Sequence, residues 1–181
     1  SKCSTPFEPA SGGSAAVVKC CSSDLTLAEF KQLKGKMDAS VSTATTAEEY
    51  MGGTAGWRTD LYVSGESGTL VTHAESIALL KQYGRKATPE LKNYTQGEGM
   101  PSYDEIRAKV VQEYMDANFP ASSVWLQSFN YPDVAYWVSR SGSFGNQAMF
   151  LDGNYTNGTA AAGIPDFSAL KAAGFNYIAP P

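Results

Sequence analysis

Glu90 and Lys92 stand two residues apart in Pro89-Glu90-Leu91-Lys92, at the predicted end of a β-strand. Side chains alternate across a strand, so the two project from one face. A carboxylate and an ammonium aimed together at the mouth of a parallel sheet can hold a divalent cation and neutralise a phosphate beside it, an arrangement suited to phosphoryl chemistry. The competing arrangement is a plain ion pair at a strand end, which surface charges commonly make. Ligation by carboxylate oxygen favours Mg²⁺ or Ca²⁺ over softer metals and leaves the choice between those two open.

The elements that would carry this pair become regular after residue 70. Thr72-His73-Ala74-Glu75 is a capping box that opens a helix over 73–83, with Ile77 and Leu80 on its buried stripe and Gly84 closing it. A strand over 86–91 bears Glu90. The box Ser102-Tyr103-Asp104-Glu105 starts a helix over 103–117, with Ile106, Val110, Val111 and Tyr114 at helical spacing. Strands follow at 124–129, 147–151 and 175–179, separated by helices at 132–140 and 166–173. Strands alternating with helices across short turns predict parallel neighbours with right-handed crossovers. No glycine-rich phosphate loop follows a strand, which favours a (β/α)8 barrel over a nucleotide-binding sheet. The expectation is an α/β fold, a partial TIM barrel with about five to six of eight strands, in a single incomplete domain over 1–181. Within it, 1–69 reads as a loop-rich lead-in with one helix and 70–181 as regular βα units. In that lead-in 1–16 is a loop, Ala16–Cys20 is extended, and a capping box at Thr26 opens a helix with Leu27, Phe30 and Leu33 on one face, stopping near Gly35. Residues 39–69 form a long connection in which Leu61–Val63 alone looks like strand.

A chain of 181 residues with a net charge of −4 and scattered Lys and Arg does not present a nucleic-acid surface. It holds no apolar run of membrane-spanning length. Cys3, Cys20 and Cys21 lack the spacing of a zinc site. Vicinal cysteines rarely bond each other, so Cys3 is expected to bridge Cys20 or Cys21 and leave one thiol over. Sequons at Asn93, Asn154 and Asn157 agree with an extracellular address, and the latter two, in a Gly/Thr-rich loop, are the better glycosylation candidates.

Arg58-Thr59-Asp60-Leu61-Tyr62, Gly68 to Ile77, Ala87-Thr88-Pro89-Glu90-Leu91-Lys92, Val124 to Asn130, Asp133 to Trp137, Ala148 to Asp152 and Ile178 to Pro181 form a series of blocks. They resemble consecutive blocks of secreted glycerophosphodiester phosphodiesterases. The resemblance covers nearly the whole chain in the family's order. It implies a TIM-barrel enzyme that hydrolyses glycerophosphodiesters to glycerol 3-phosphate and an alcohol with a divalent cation. Glu90 falls at a metal-ligand position of that family and Lys92 at a position that contacts the phosphate. The family's two catalytic histidines, its early acidic pair and its last strand have no counterpart here, so the chain is expected to be an inactive piece of a longer parent.

Gln127 and Ser128 end a strand and are candidates to face the substrate, with strand-end packing as the alternative. Asp152 also ends a strand, where an Asp before Gly153 commonly serves a turn. His73, inside a capping box, is expected at the helix end away from the site. Trp125, Phe129 and Trp137 read as core or as packing between barrel and helix. The rival function is a non-catalytic structural or self-assembling secreted polypeptide, with self-association the expected partnership of a true fragment.

Overall fold

The computed structural model describes residues 2–35, 39–59, 68–97, 99–153 and 166–180. The chain divides into two compact units, Ser1–Val71 and Thr72–Pro181.

The first unit is built on an antiparallel pair, β1 (Thr5–Glu8) and β2 (Val17–Lys19), in the register Thr5 to Lys19 and Glu8 to Val17. The segment expected as a loop over 1–16 therefore contains a strand. A disulfide between Cys3 and Cys20 pins the open end of the pair, leaving Cys21 as the free thiol. The capping box at Thr26 forms, with Glu29 N donating to Thr26 Oγ1, but helix α1 spans only Leu27–Phe30 and stops short of Gly35. Its expected apolar face is not a core face, because Leu27, Phe30 and Leu33 are all exposed. A further capping box, Thr46 with Glu49, starts helix α2 (Ala47–Met51) inside the stretch read as a long connection. Tyr50 of α2 meets Phe7 of β1 edge-on, with ring centroids 5.8 Å apart. The expected strand Leu61–Val63 lies outside the described residues.

The second unit carries helices α3 (His73–Gln82), α4 (Tyr103–Asp116), α5 (Tyr131–Arg140) and α6 (Phe167–Ala172), with strands β3 (Gln127–Ser128), β4 (Met149–Leu151) and β5 (Tyr177–Ala179). The capping boxes at Thr72 and Ser102 form as their sequences require, and Gly84 takes the left-handed backbone (φ 59°) after α3. The strands are parallel in the order β3-β4-β5, with Met149 paired to Gln127 and to Tyr177. The 86–91 segment extends this ladder through bridges from Ala87 to Val124 and from Glu90 to Gln127. It is not a regular strand. Pro89 has no N–H to give, so the ladder there runs on Ala87 and Leu91 as donors and the carbonyls of Ala87 and Pro89 as acceptors.

The partial TIM barrel is corrected by this topology. Among the described residues the strands form one two-stranded antiparallel sheet and one three-stranded parallel sheet, each strand two to four residues long. That is neither the count nor the closure a barrel needs.

The core of the second unit gathers Ile77 from α3, Val111 and Tyr114 from α4, Val124 and Leu126 before β3, Val134 and Trp137 from α5, and Phe150, Leu170 and Phe175. Trp137 is fully buried, as expected, and its indole N–H donates to Arg107 O at 3.1 Å. Phe129, expected in the core, is exposed, and half-buried Trp125 lies under the Lys86 ammonium.

Candidate functional site

The parallel ladder sets the Glu90–Lys92 pair. Gln127 of β3 holds the Glu90 backbone in register, and the alternation of side chains brings Glu90 and Lys92 together, with Lys92 Nζ 2.6 Å from Glu90 Oε1. Glu90 Oε1 is buried, and the Lys92 ammonium is its ionic partner. Lys92 is 76 % exposed and Glu90 22 %, an exposed cation over a largely sheltered carboxylate. The ammonium also lies 5.9 Å from the Phe129 ring centroid, which favours a cation over that ring. One carboxylate fits a single ligand position for a hard cation. No group of three or more His, Cys, Asp or Glu side chains able to hold a metal exists among the described residues.

The other predicted residues have different surroundings. Gln127 is half-buried and its amide donates to Thr88 O at 3.2 Å. Ser128 is fully buried, its hydroxyl 2.8 Å from Asp133 Oδ2 and 3.1 Å from Leu91 O, while Oγ accepts from Asn130 N at 3.0 Å. Those contacts commit the Ser128 hydroxyl to the interior. Asp152 is buried, and its amide donates to Ala179 O. Asn93 is exposed beside Lys92, and Asn154 and Asn157 lie outside the described residues.

Asp133 is the hub that sequence reasoning missed. Its Oδ1 accepts from Arg107 Nε at 2.7 Å and Asn130 Nδ2 at 2.9 Å, and Arg107 also reaches Asp104 at 2.9 Å. Burial works against the Arg107 charge, but the Asp133 and Asp104 hydrogen bonds outweigh it and raise its pKa further. The network ties α4, the start of α5 and β3 together beneath the ladder.

His73 takes a different place from the one expected. As the first residue of α3 it sets Nδ1 2.7 Å from Glu113 Oε2 on α4, edge-on to Tyr114. Its ring lines the same cavity, about 390 Å³, as Glu90, Ser76 and Thr88. Burial pushes Glu113 up, but the hydrogen bonds from Lys109 and His73 prevail and hold the carboxyl below its usual value. Burial pushes the Tyr114 phenol up to about 12, so it stays neutral at the cavity wall. The partners His73 and Glu113 are 40 residues apart, and the one local signal was Glu113 one helical position before core Tyr114.

The chain is similar to a protein of Arthroderma benhamiae named "Extracellular protein", 35% identical over 150 residues. The match takes in 80% of this chain and 60% of that relative, so the chain spans less than two thirds of the relative's length. No protein-family model matches. No solved structure matches. Among the described residues no helix is long and apolar enough to cross a membrane.

Proposed function

We propose that these residues belong to an extracellular, metal-dependent phosphodiesterase that hydrolyses glycerophosphodiesters to glycerol 3-phosphate and an alcohol. The single observation that carries this reading is the Glu90–Lys92 pair: a sheltered carboxylate 2.6 Å from an exposed ammonium, at a parallel ladder. Glu90 is the ligand for Mg²⁺ or Ca²⁺, which when bound supplies charge stabilisation to a phosphate oxygen. Lys92 swings from Glu90 to the phosphate and adds a second positive contact, since it stands largely free of the surface. Gln127 keeps Glu90 in register through the backbone, and the buried Ser128–Asp133–Arg107 network holds β3 beneath it. The Pro-Glu-Leu-Lys and Gln-Ser-Phe-Asn blocks support the substrate class by their resemblance to the family.

The extracellular setting is supported by the Cys3–Cys20 disulfide and by the name of the relative. The activity belongs to a protein longer than this chain, as the relative is. The test is hydrolysis of glycerophosphocholine by the secreted full-length protein, with and without Mg²⁺ or Ca²⁺. Release of glycerol 3-phosphate that chelation abolishes is the expected result. Full-length protein that binds neither ion and releases no product would leave a non-catalytic, self-assembling polypeptide as the better account.

A further inference from the structure

N-linked glycosylation requires Asn-X-Ser/Thr, with X other than Pro, on a surface loop of a protein that passes through the secretory route. Of the three sequons, Asn93-Tyr94-Thr95 lies within the described residues, and it follows directly on the Glu90–Lys92 pair. The chain leaves the parallel ladder at Leu91, whose N–H donates to Gln127 O at 3.0 Å and whose carbonyl accepts from the Ser128 hydroxyl at 3.1 Å. It is tied down again at Tyr94. The Tyr94 hydroxyl donates to Pro101 O, its carbonyl accepts from the Tyr103 hydroxyl, and its ring packs on Tyr103 with centroids 4.8 Å apart. On either side of that anchor Asn93 and Thr95 are exposed, in backbone that is neither helix nor strand. Among the described residues neither side chain takes part in a hydrogen bond. The Asn93 amide and the Thr95 hydroxyl, the two groups that a transferase reads in a sequon, are both free to be engaged.

A glycan is bulky and hydrated. Rooted at Asn93, it stands next to the exposed Lys92 and close in sequence to Glu90. A phosphodiester anchored in a membrane reaches a protein site only when the rim of that site meets the bilayer surface, and a hydrated oligosaccharide on the rim holds the two surfaces apart. A small diester in solution diffuses past it. An obstacle to the wrong substrate is one of the two ways a site discriminates, beside contacts to the right one.

We propose that Asn93 carries an N-linked glycan, and that this glycan confines the Glu90–Lys92 site to small, water-soluble phosphodiesters by screening it from those held in a membrane. In the transfer, the anomeric C–O bond of a lipid-diphosphate-linked oligosaccharide breaks, and its electron pair leaves with the lipid diphosphate. Asn93 Nδ2 forms the new C–N bond and gives up one proton. The modification rests on the extracellular setting, with which the Cys3–Cys20 disulfide agrees, and the screening role rests on the phosphodiesterase reading as well.

The test uses the full-length protein secreted from a yeast host. Amidase release of N-glycans in H₂¹⁸O, followed by peptide mass spectrometry, should find the side chain at position 93 converted to an ¹⁸O-labelled aspartate. Choline release then reads two substrates, glycerophosphocholine in solution and lysophosphatidylcholine in phosphatidylcholine vesicles. Asn93→Gln and Thr95→Ala both remove the sequon, and both should leave the first rate unchanged and raise the second severalfold. Trimming the glycan of the unaltered protein with an endoglycosidase should do the same, a readout that does not depend on any variant folding. A peptide with unmodified Asn93 would overturn the modification. Occupied Asn93 whose loss leaves the ratio of the two rates unchanged would overturn the screen. Occupied Asn93 with no choline release from either substrate would uphold the modification and remove the phosphodiesterase reading together with the screen.

Discussion

Arg107 Nε donates to Asp133 Oδ1 at 2.7 Å, and both side chains are nearly sealed from solvent, 11 % and 4 % exposed. The pair joins α4 to α5 and, through Asp133 Oδ2, reaches the Ser128 hydroxyl of β3. Removing Asp133 leaves the buried Arg107 with the more exposed Asp104 alone and takes the acceptor from Ser128 and Asn130. Asp133→Ala should therefore destabilise the second unit by about 3–5 kcal/mol, measured by urea unfolding. Asp133→Asn, which keeps the shape and part of the hydrogen bonding, should lose less. Equal stability of Asp133→Ala and the parent chain would mean that the network does not hold the ladder.

Cys3 and Cys20 close a span of 17 residues across the β1–β2 pair. Cross-linking a loop of that size restricts the unfolded chain, so Cys3→Ser should lower the stability of the first unit by about 2–4 kcal/mol. Calorimetry of that variant should show the loss, and non-reducing peptide mapping of the parent should find Cys21 as the one unbridged cysteine. A mapped Cys3–Cys21 bridge would contradict the pairing.

Glu105 receives hydrogen bonds from the Ser102 hydroxyl and the Ser102 amide, which hold its pKa below the usual value. A folded value below the unfolded one means that this contribution is present above the unfolded carboxylate value. It fades as pH falls through the folded value. Ser102→Ala should move the Glu105 titration upward in a carboxyl ¹³C NMR experiment. Loss of the Ser102 N-cap should separately weaken α4 by about 1 kcal/mol at neutral pH. An unmoved Glu105 midpoint would show that the capping box is absent in solution.

What could be read from the sequence was what is encoded locally. Thr72 with Glu75 and Ser102 with Glu105 are three residues apart, so the capping boxes of α3 and α4 need no tertiary context. The meeting of Glu90 and Lys92 follows from strand alternation, although Pro89 thins their strand to bridges. Strand β1 was hidden because Pro6 argues against a strand and its pairing depends on the distant Cys20. Leu27, Phe30 and Leu33 have helical spacing, but α1 is a single turn and presents no buried stripe, so periodicity misled there. The barrel expectation rested on alternation, on the lack of a glycine-rich phosphate loop and on the family resemblance, and alternation sets neighbour order without setting strand length or closure. His73–Glu113 and Arg107–Asp133 join residues 40 and 26 positions apart, and no local pattern marks such pairs.

The central claim, that Glu90 holds a catalytic cation while Lys92 handles the phosphate, is tested most directly by comparing Glu90→Gln with Lys92→Met in the full-length secreted protein. Gln keeps the size of Glu without its charge, and Met keeps the stem of Lys without its cation. Activity on glycerophosphocholine and divalent-cation affinity should fall together in Glu90→Gln. In Lys92→Met activity should fall with cation affinity retained, each variant losing about 2–4 kcal/mol of transition-state stabilisation. Metal-dependent hydrolysis unchanged in Glu90→Gln would contradict the account and return Glu90 and Lys92 to a strand-end ion pair.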